Sequence, residues 1–106
     1  MPQGFVKAAR VGELAPGEKK PVLIGKERLL LLNVGGGYCA VADLCTHAYA
    51  LLSKGQLYGD EIVCPLHGST FNIWTGAALS PPASQRLTCY EVRVEGNDIL
   101  VGPPRS

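Results

Sequence analysis

Both histidines of the chain sit in short segments that also carry a cysteine: Cys45-Thr46-His47 and Cys64-Pro65-Leu66-His67. Residues 48–63 separate them. A lone histidine is usually a surface group or a satisfied core residue. Two histidines that each keep a cysteine partner form a ligand set. Such a set constrains the fold first, because the chain must bring two distant segments to one place. Each segment begins just after an apolar, strand-like run, so both loops are expected at the same end of a scaffold.

The scaffold reads as all-β. Lys20 to Ile24 leads through Gly25-Lys26 into Glu27 to Val34, and a Gly-first pair suits a tight hairpin because glycine accepts positive φ. Gly35-Gly36-Gly37 breaks the chain before Tyr38 to Ala42. No Lys-Ser/Thr pair follows those glycines, so they read as a turn and not as a phosphate loop. A second hairpin is expected from Gln56 to Tyr58, turning at Gly59-Asp60 into Glu61 to Val63. A third runs from Leu87 to Glu95, turns at Gly96-Asn97 and returns through Asp98 to Val101. Within it Tyr90, Val92 and Val94 alternate with Glu91, Arg93 and Glu95, the period of a half-buried strand. The nearest helical candidate, Ala9 to Ala15, is cut short by Pro16-Gly17. Many short strands with frequent turns imply a sandwich or barrel. Cys45 to Gly55, and Cys64 to Ala83 apart from a short strand near Phe71, read as long loops carried by it.

At 106 residues the chain is expected to be a single domain, 1–106, with an ordinary apolar content of 46%. The formal net charge of +1 is scattered, and no basic stripe points to nucleic acid. The longest apolar run, Leu29 to Leu32, is far shorter than the roughly 20 residues of a membrane span. The opening MPQGFVKAAR has no apolar segment of the signal-peptide kind, so a cytoplasmic protein is expected. Four cysteines are too few for a disulfide-built scaffold of this length. Cys39 and Cys89 fall within expected strands and read as small buried hydrophobes.

Two thiolates and two imidazoles suit zinc, and equally an iron–sulfur cluster with mixed ligands. A zinc finger of this composition usually pairs cysteine with cysteine and histidine with histidine on a helix. Here each loop offers one of each and no helix carries the histidines. A binuclear cluster explains that better, with one iron taking both thiolates and the other both imidazoles.

CTH at 45–47 and CPLHGSTF at 64–71 resemble the two cluster-binding loops of Rieske [2Fe–2S] proteins. LSKG at 52–55, TG at 75–76, PPA at 81–83 and LTCYEVRVEGNDILV at 87–101 also fall where that family has similar segments. The chain is most similar to soluble Rieske ferredoxins of bacterial aromatic-ring-hydroxylating dioxygenase systems. That resemblance implies the Rieske fold, an antiparallel β-sandwich base with a small cluster-binding subdomain from about Asp43 to Pro82. It implies Cys45 and Cys64 on the inner iron and His47 and His67 on the outer one. It implies a one-electron carrier, not an enzyme, which moves as a monomer between a flavin-dependent reductase and a terminal oxygenase. Two other readings use the same residues: a small Rieske subunit of a larger redox enzyme such as a cytoplasmic nitrite reductase, and a structural zinc-binding module.

Departures from the family pattern sharpen the expectation. Rieske proteins of respiratory complexes carry an extra cysteine in each loop, joined as a disulfide. Ala50 and Leu66 stand at those places here. Ser69 matches a serine that donates to a cluster sulfide in that high-potential branch, and Phe71 replaces its tyrosine donor. Fewer donors at the sulfurs imply a potential below the respiratory type. The alternative for Ser69 is a turn residue bonded to its own backbone. Backbone N–H groups around Gly68 and Ser69 are expected to support the reduced cluster. Tyr49, Ala50 and Leu51 are expected to form an apolar rim or to pack beneath the loop, and Trp74 reads as partly buried packing.

Overall fold

The computed structural model describes residues 4–46, 50–66 and 68–105. The described residues form nine strands: β1 (Val6–Arg10), β2 (Lys19–Ile24), β3 (Glu27–Val34), β4 (Gly37–Ala42), β5 (Leu57–Tyr58), β6 (Glu61–Val63), β7 (Thr70–Asn72), β8 (Cys89–Glu95) and β9 (Asp98–Pro104). The described residues contain two single 3-10 turns, Val11–Glu13 and Leu52–Lys54, and no α-helix. The helical candidate near Ala9 is therefore the end of β1 followed by one of those turns. The Glu13 carboxylate accepts the Arg10 N–H at 2.7 Å there.

Six strands form one antiparallel sheet in the order β1-β9-β8-β4-β3-β2, and three form a second in the order β5-β6-β7. The outer strands of the large sheet, β1 and β2, also approach each other, so it curls into a nearly closed barrel. All three expected hairpins are present at the expected turns. At the β3–β4 turn Gly35 and Gly36 adopt φ of 62° and 87°, a conformation that a side chain disfavours. The last hairpin is longer than its pattern: β9 continues through Pro104, at the sheet position where Tyr90 opposes Pro104.

The run Leu29–Leu32 explains how the two sheets meet. Side chains alternate faces along a strand, so four consecutive leucines supply both sides of β3. Leu29 and Leu31 join Ala9, Leu14, Val22, Ala40, Ile99 and Val101 in one core. Leu30 and Leu32 join Val41, Leu52, Ile62, Phe71, Ile73 and Leu87 in a second, which fastens the small sheet to the large one. Burying each leucine is worth roughly 1.5–3 kcal/mol.

Close packing also shapes the connection between the sheets. Gly55 lies where a Cβ would collide with the Val63 carbonyl oxygen, so the chain can pass behind β6 only with no side chain at that point.

Leu31→Ala removes a wholly buried side chain. It is expected to cost about 2–5 kcal/mol of stability, read as a lowered urea midpoint at unchanged slope.

Candidate metal centre

Cys45 and Cys64 belong to the same apolar core, at 3% and 0% exposure. The two are brought together because β4 and β6 both lead into that core and the chain leaves each by a short loop. Each loop is closed by the same backbone bond. The Cys45 N–H donates to the Ala50 carbonyl at 3.0 Å, and the Cys64 N–H donates to the Ser69 carbonyl at 2.7 Å. In both cases the bond spans five positions, so the two cysteine-bearing loops close in the same way. His47 and His67 lie inside these spans in sequence and outside the described residues.

The second loop is tightened further by a bond from the Gly68 N–H to the Cys64 carbonyl at 3.1 Å. The Gly68 N–H is thereby engaged within the loop itself. Gly68 has a φ of 77° and is exposed.

Hydroxyl groups hold the following segment against this loop. Ser69 is fully buried, and its Oγ accepts the Ala83 N–H at 3.1 Å. It is therefore not satisfied by its own turn. The Ser80 Oγ accepts the Thr70 N–H at 2.9 Å and pairs with the Thr70 Oγ1 at 3.0 Å. The first loop is tied to the same region, with the Thr46 Oγ1 donating to the Gln85 carbonyl at 2.7 Å. Phe71 is wholly buried in the core and brings no donor.

Around the loops, Pro65, Leu66, Leu79, Pro81 and Pro82 are exposed, Leu66 by 56%. Ala50 and Leu51 are half-buried, and Ala50 packs on the core with the cysteines. Tyr49, expected beside them, lies outside the described residues. Trp74 is a packing residue: half-buried on the same core, with its Nε1 donating to the Asp60 carboxylate at 3.0 Å.

One group was visible in the sequence only as a boundary. Asp43, two residues before Cys45, is completely buried, and its carboxylate accepts from the Arg28 Nε at 2.7 Å and from Ser53. A charged residue directly after the apolar run of β4 was the available signal.

The donor set fits an iron–sulfur cluster. Two thiols share one dry core at the mouths of two matching loops, which suits the protected inner side of such a site. Comparison with known proteins agrees with that chemistry. The family model described as "Rieske [2Fe-2S] domain" matches residues 4–91. The chain belongs to the Rieske family. Among relatives, the biphenyl dioxygenase ferredoxin subunit of Pseudomonas sp. (strain KKS102) is 40% identical over 98 residues, covering 92% of this chain and 90% of the relative. The ferredoxin of carbazole 1,9a-dioxygenase from Nocardioides aromaticivorans IC177 superposes with a TM-score of 0.90 at 32% identity, covering 95% and 99% of the two chains. A chain in a complex of reduced oxygenase and oxidised ferredoxin of carbazole 1,9a-dioxygenase gives 0.89 at 37% identity, with 94% of each covered. The Rieske base is, in this chain, the single curled sheet.

The remaining cysteines, Cys39 and Cys89, are buried and not joined as a disulfide. Burial pushes the Cys39 thiol up to about 12, with the neighbouring Cys89 and Asp60 adding to the effect and Arg105 opposing it. Burial likewise raises Cys89, against Arg86 and Arg105. Neither thiol forms an appreciable thiolate near neutrality, so both are inert. The sign for stability follows. The ordinary value is 9.0, so above it the unfolded chain releases the Cys39 proton while the folded chain holds it to about 12. Stability falls across that window. Iodoacetamide at pH 8 is expected to leave both residues unlabelled in the folded protein and to label them on unfolding, as read by peptide mass.

Proposed function

We propose that this chain is the ferredoxin component of a bacterial aromatic-ring-hydroxylating dioxygenase system. It is a one-electron carrier between a flavin-dependent reductase and a terminal oxygenase, and it is not itself an enzyme. The observation that carries the reading is the pair of matched loops, each rooted by a buried cysteine, in a Rieske chain that is 40% identical to a dioxygenase ferredoxin subunit and covers 90% of it. Residues 43–82 act as the cluster-binding unit of a single domain, 1–106. No helix among the described residues is long and apolar enough to cross a membrane. A cytoplasmic monomer fits a carrier that must leave one partner for another.

Cys45 and Cys64 would hold one iron as thiolates, and His47 and His67 would hold the other as neutral imidazoles. When bound, the [2Fe–2S] cluster supplies reversible one-electron oxidation and reduction. The chain supplies the rest. The apolar core keeps water from the two sulfurs. Leu66 and Pro65, exposed beside the second loop, offer a small apolar face. Redox partners that must separate use small interfaces, below about 1,200 Å², and the carbazole dioxygenase complex shows that a homologous ferredoxin and an oxygenase do associate.

The deciding measurement is electron paramagnetic resonance of the purified protein before and after dithionite. A rhombic signal appearing only on reduction, with average g below the free-electron value, is expected. Cys45→Ser, Cys64→Ser, His47→Ala and His67→Ala should each abolish it. A colourless zinc-containing protein with no signal overturns the reading.

Ser69 tunes the site. Its Oγ accepts from Ala83, and among the described residues nothing takes its hydroxyl hydrogen. With a cluster bound, that hydrogen would be available to one of its sulfides and would favour the reduced, more negative state. Ser69→Ala is expected to lower the reduction potential by about 60 mV, the equivalent of ~1.5 kcal/mol for a charge-assisted bond. Protein-film voltammetry reads the shift.

A further inference from the structure

The two loops are alike at their mouths and different below them. The second loop connects β6 and β7, which pair at Glu61↔Asn72, Ile62↔Phe71 and Val63↔Thr70. Among its described residues the first has no such strands. Its legs, residues 43–45 and 50–52, meet at one isolated bridge, Leu44↔Leu51, flanked by the Cys45–Ala50 bond and a bond from the Leu52 N–H to the Asp43 carbonyl at 2.8 Å. Paired segments this short have little stability of their own.

The buried Asp43 carboxylate lies at the root of these legs. It accepts from the Arg28 Nε at 2.7 Å, from the Ser53 N–H at 2.7 Å and from the Ser53 hydroxyl at 2.9 Å. Its backbone N–H donates to the Arg28 carbonyl at 3.1 Å. Arg28 belongs to β3, the wall shared by both cores, and Ser53 lies just past the far leg. A single carboxylate thus fastens both legs to the scaffold. Burial of an ionised carboxylate is tolerated only when it is paired and fully hydrogen-bonded, so this geometry is stringently defined.

We propose that Asp43, with Arg28 and Ser53, is a positioning residue that sets the first cluster loop, doing for Cys45 what β6 and β7 do for Cys64. The inference rests on the reading of Cys45 and Cys64 as ligands. It also explains how the loop keeps its place with Ala50 and Leu66 where a disulfide would otherwise join the two loops.

The test uses the cluster-loaded protein and four substitutions: Asp43→Asn, Arg28→Gln, Arg28→Lys and Ser53→Ala. Two properties are read beside the melting temperature: the rate of iron release to a ferrous chelator after anaerobic reduction, and the shape of the reduced paramagnetic signal. Asp43→Asn and Arg28→Gln should release iron roughly tenfold faster, which corresponds to ~1.4 kcal/mol, and should alter the signal. Arg28→Lys should fall between Arg28→Gln and the parent. Val101→Ala, in the barrel core away from the loops, should lower the melting temperature and leave rate and signal shape unchanged. If Asp43→Asn loses stability like Val101→Ala while keeping the parent's release rate and signal, Asp43 is only a core residue and the proposal fails. Should Asp43→Asn not fold, the partly exposed Arg28 and Ser53 decide by the same criteria. Cys45→Ser separates the two levels: retention of a full cluster there overturns the ligand assignment, whereas its loss with parent-like clamp variants overturns this inference alone.

Discussion

The structure hangs on a strand that is buried on both sides. Leu29 to Leu32 in β3 divide between two cores, one inside the curled sheet and one beneath the small sheet. An ordinary strand of an antiparallel sheet has one wet face and alternates in polarity. Here both faces are dry, so β3 becomes the wall to which everything else is attached. The barrel closes on one side of it. On the other side it presents the apolar floor on which β6, β7 and the two cysteine-bearing loops rest.

That arrangement has a chemical consequence. A cysteine sulfur at the edge of a packed core is shielded from water. Two loops, each closed by a bond across five positions, are rooted by such a sulfur, at Cys45 and at Cys64. Among the described residues, polar groups drawn into the region find partners: the Ser69 Oγ in Ala83, Thr70 in Ser80, Asp43 in Arg28 and Ser53. Buried polar atoms left unpaired are costly, and fully paired ones define a single geometry. A carrier whose donor groups are held in one geometry before and after reduction suits its task, because little needs to move when the charge changes.

Much of this was legible in the residue order. Turn chemistry located the hairpins at Gly25-Lys26, Gly59-Asp60 and Gly96-Asn97, because glycine at a positive-φ corner is a local requirement. The Cys/His pairs pointed to a metal site, because metal ligands are a short list of residue types. The long-range consequences were not legible. A run of four leucines does not reveal which two cores it serves. Nothing local in Gly68 shows that its N–H closes the loop, and Asp43 carries no motif that names Arg28, fifteen positions earlier, as its partner.

The sequence by itself determined an all-β chain, two segments that pair a cysteine with a histidine and, through its resemblance to a family, the kind of cluster that family carries. These rest on periodicity, turn preference and donor chemistry, each expressed within a few neighbouring residues. The tertiary structure decided that the large sheet curls on itself, that Ser69 holds Ala83 instead of its own turn, and that a buried carboxylate secures the first loop while paired strands secure the second. Those depend on which surfaces meet once the chain has folded, and contacts between residues far apart in sequence leave no local periodicity to read.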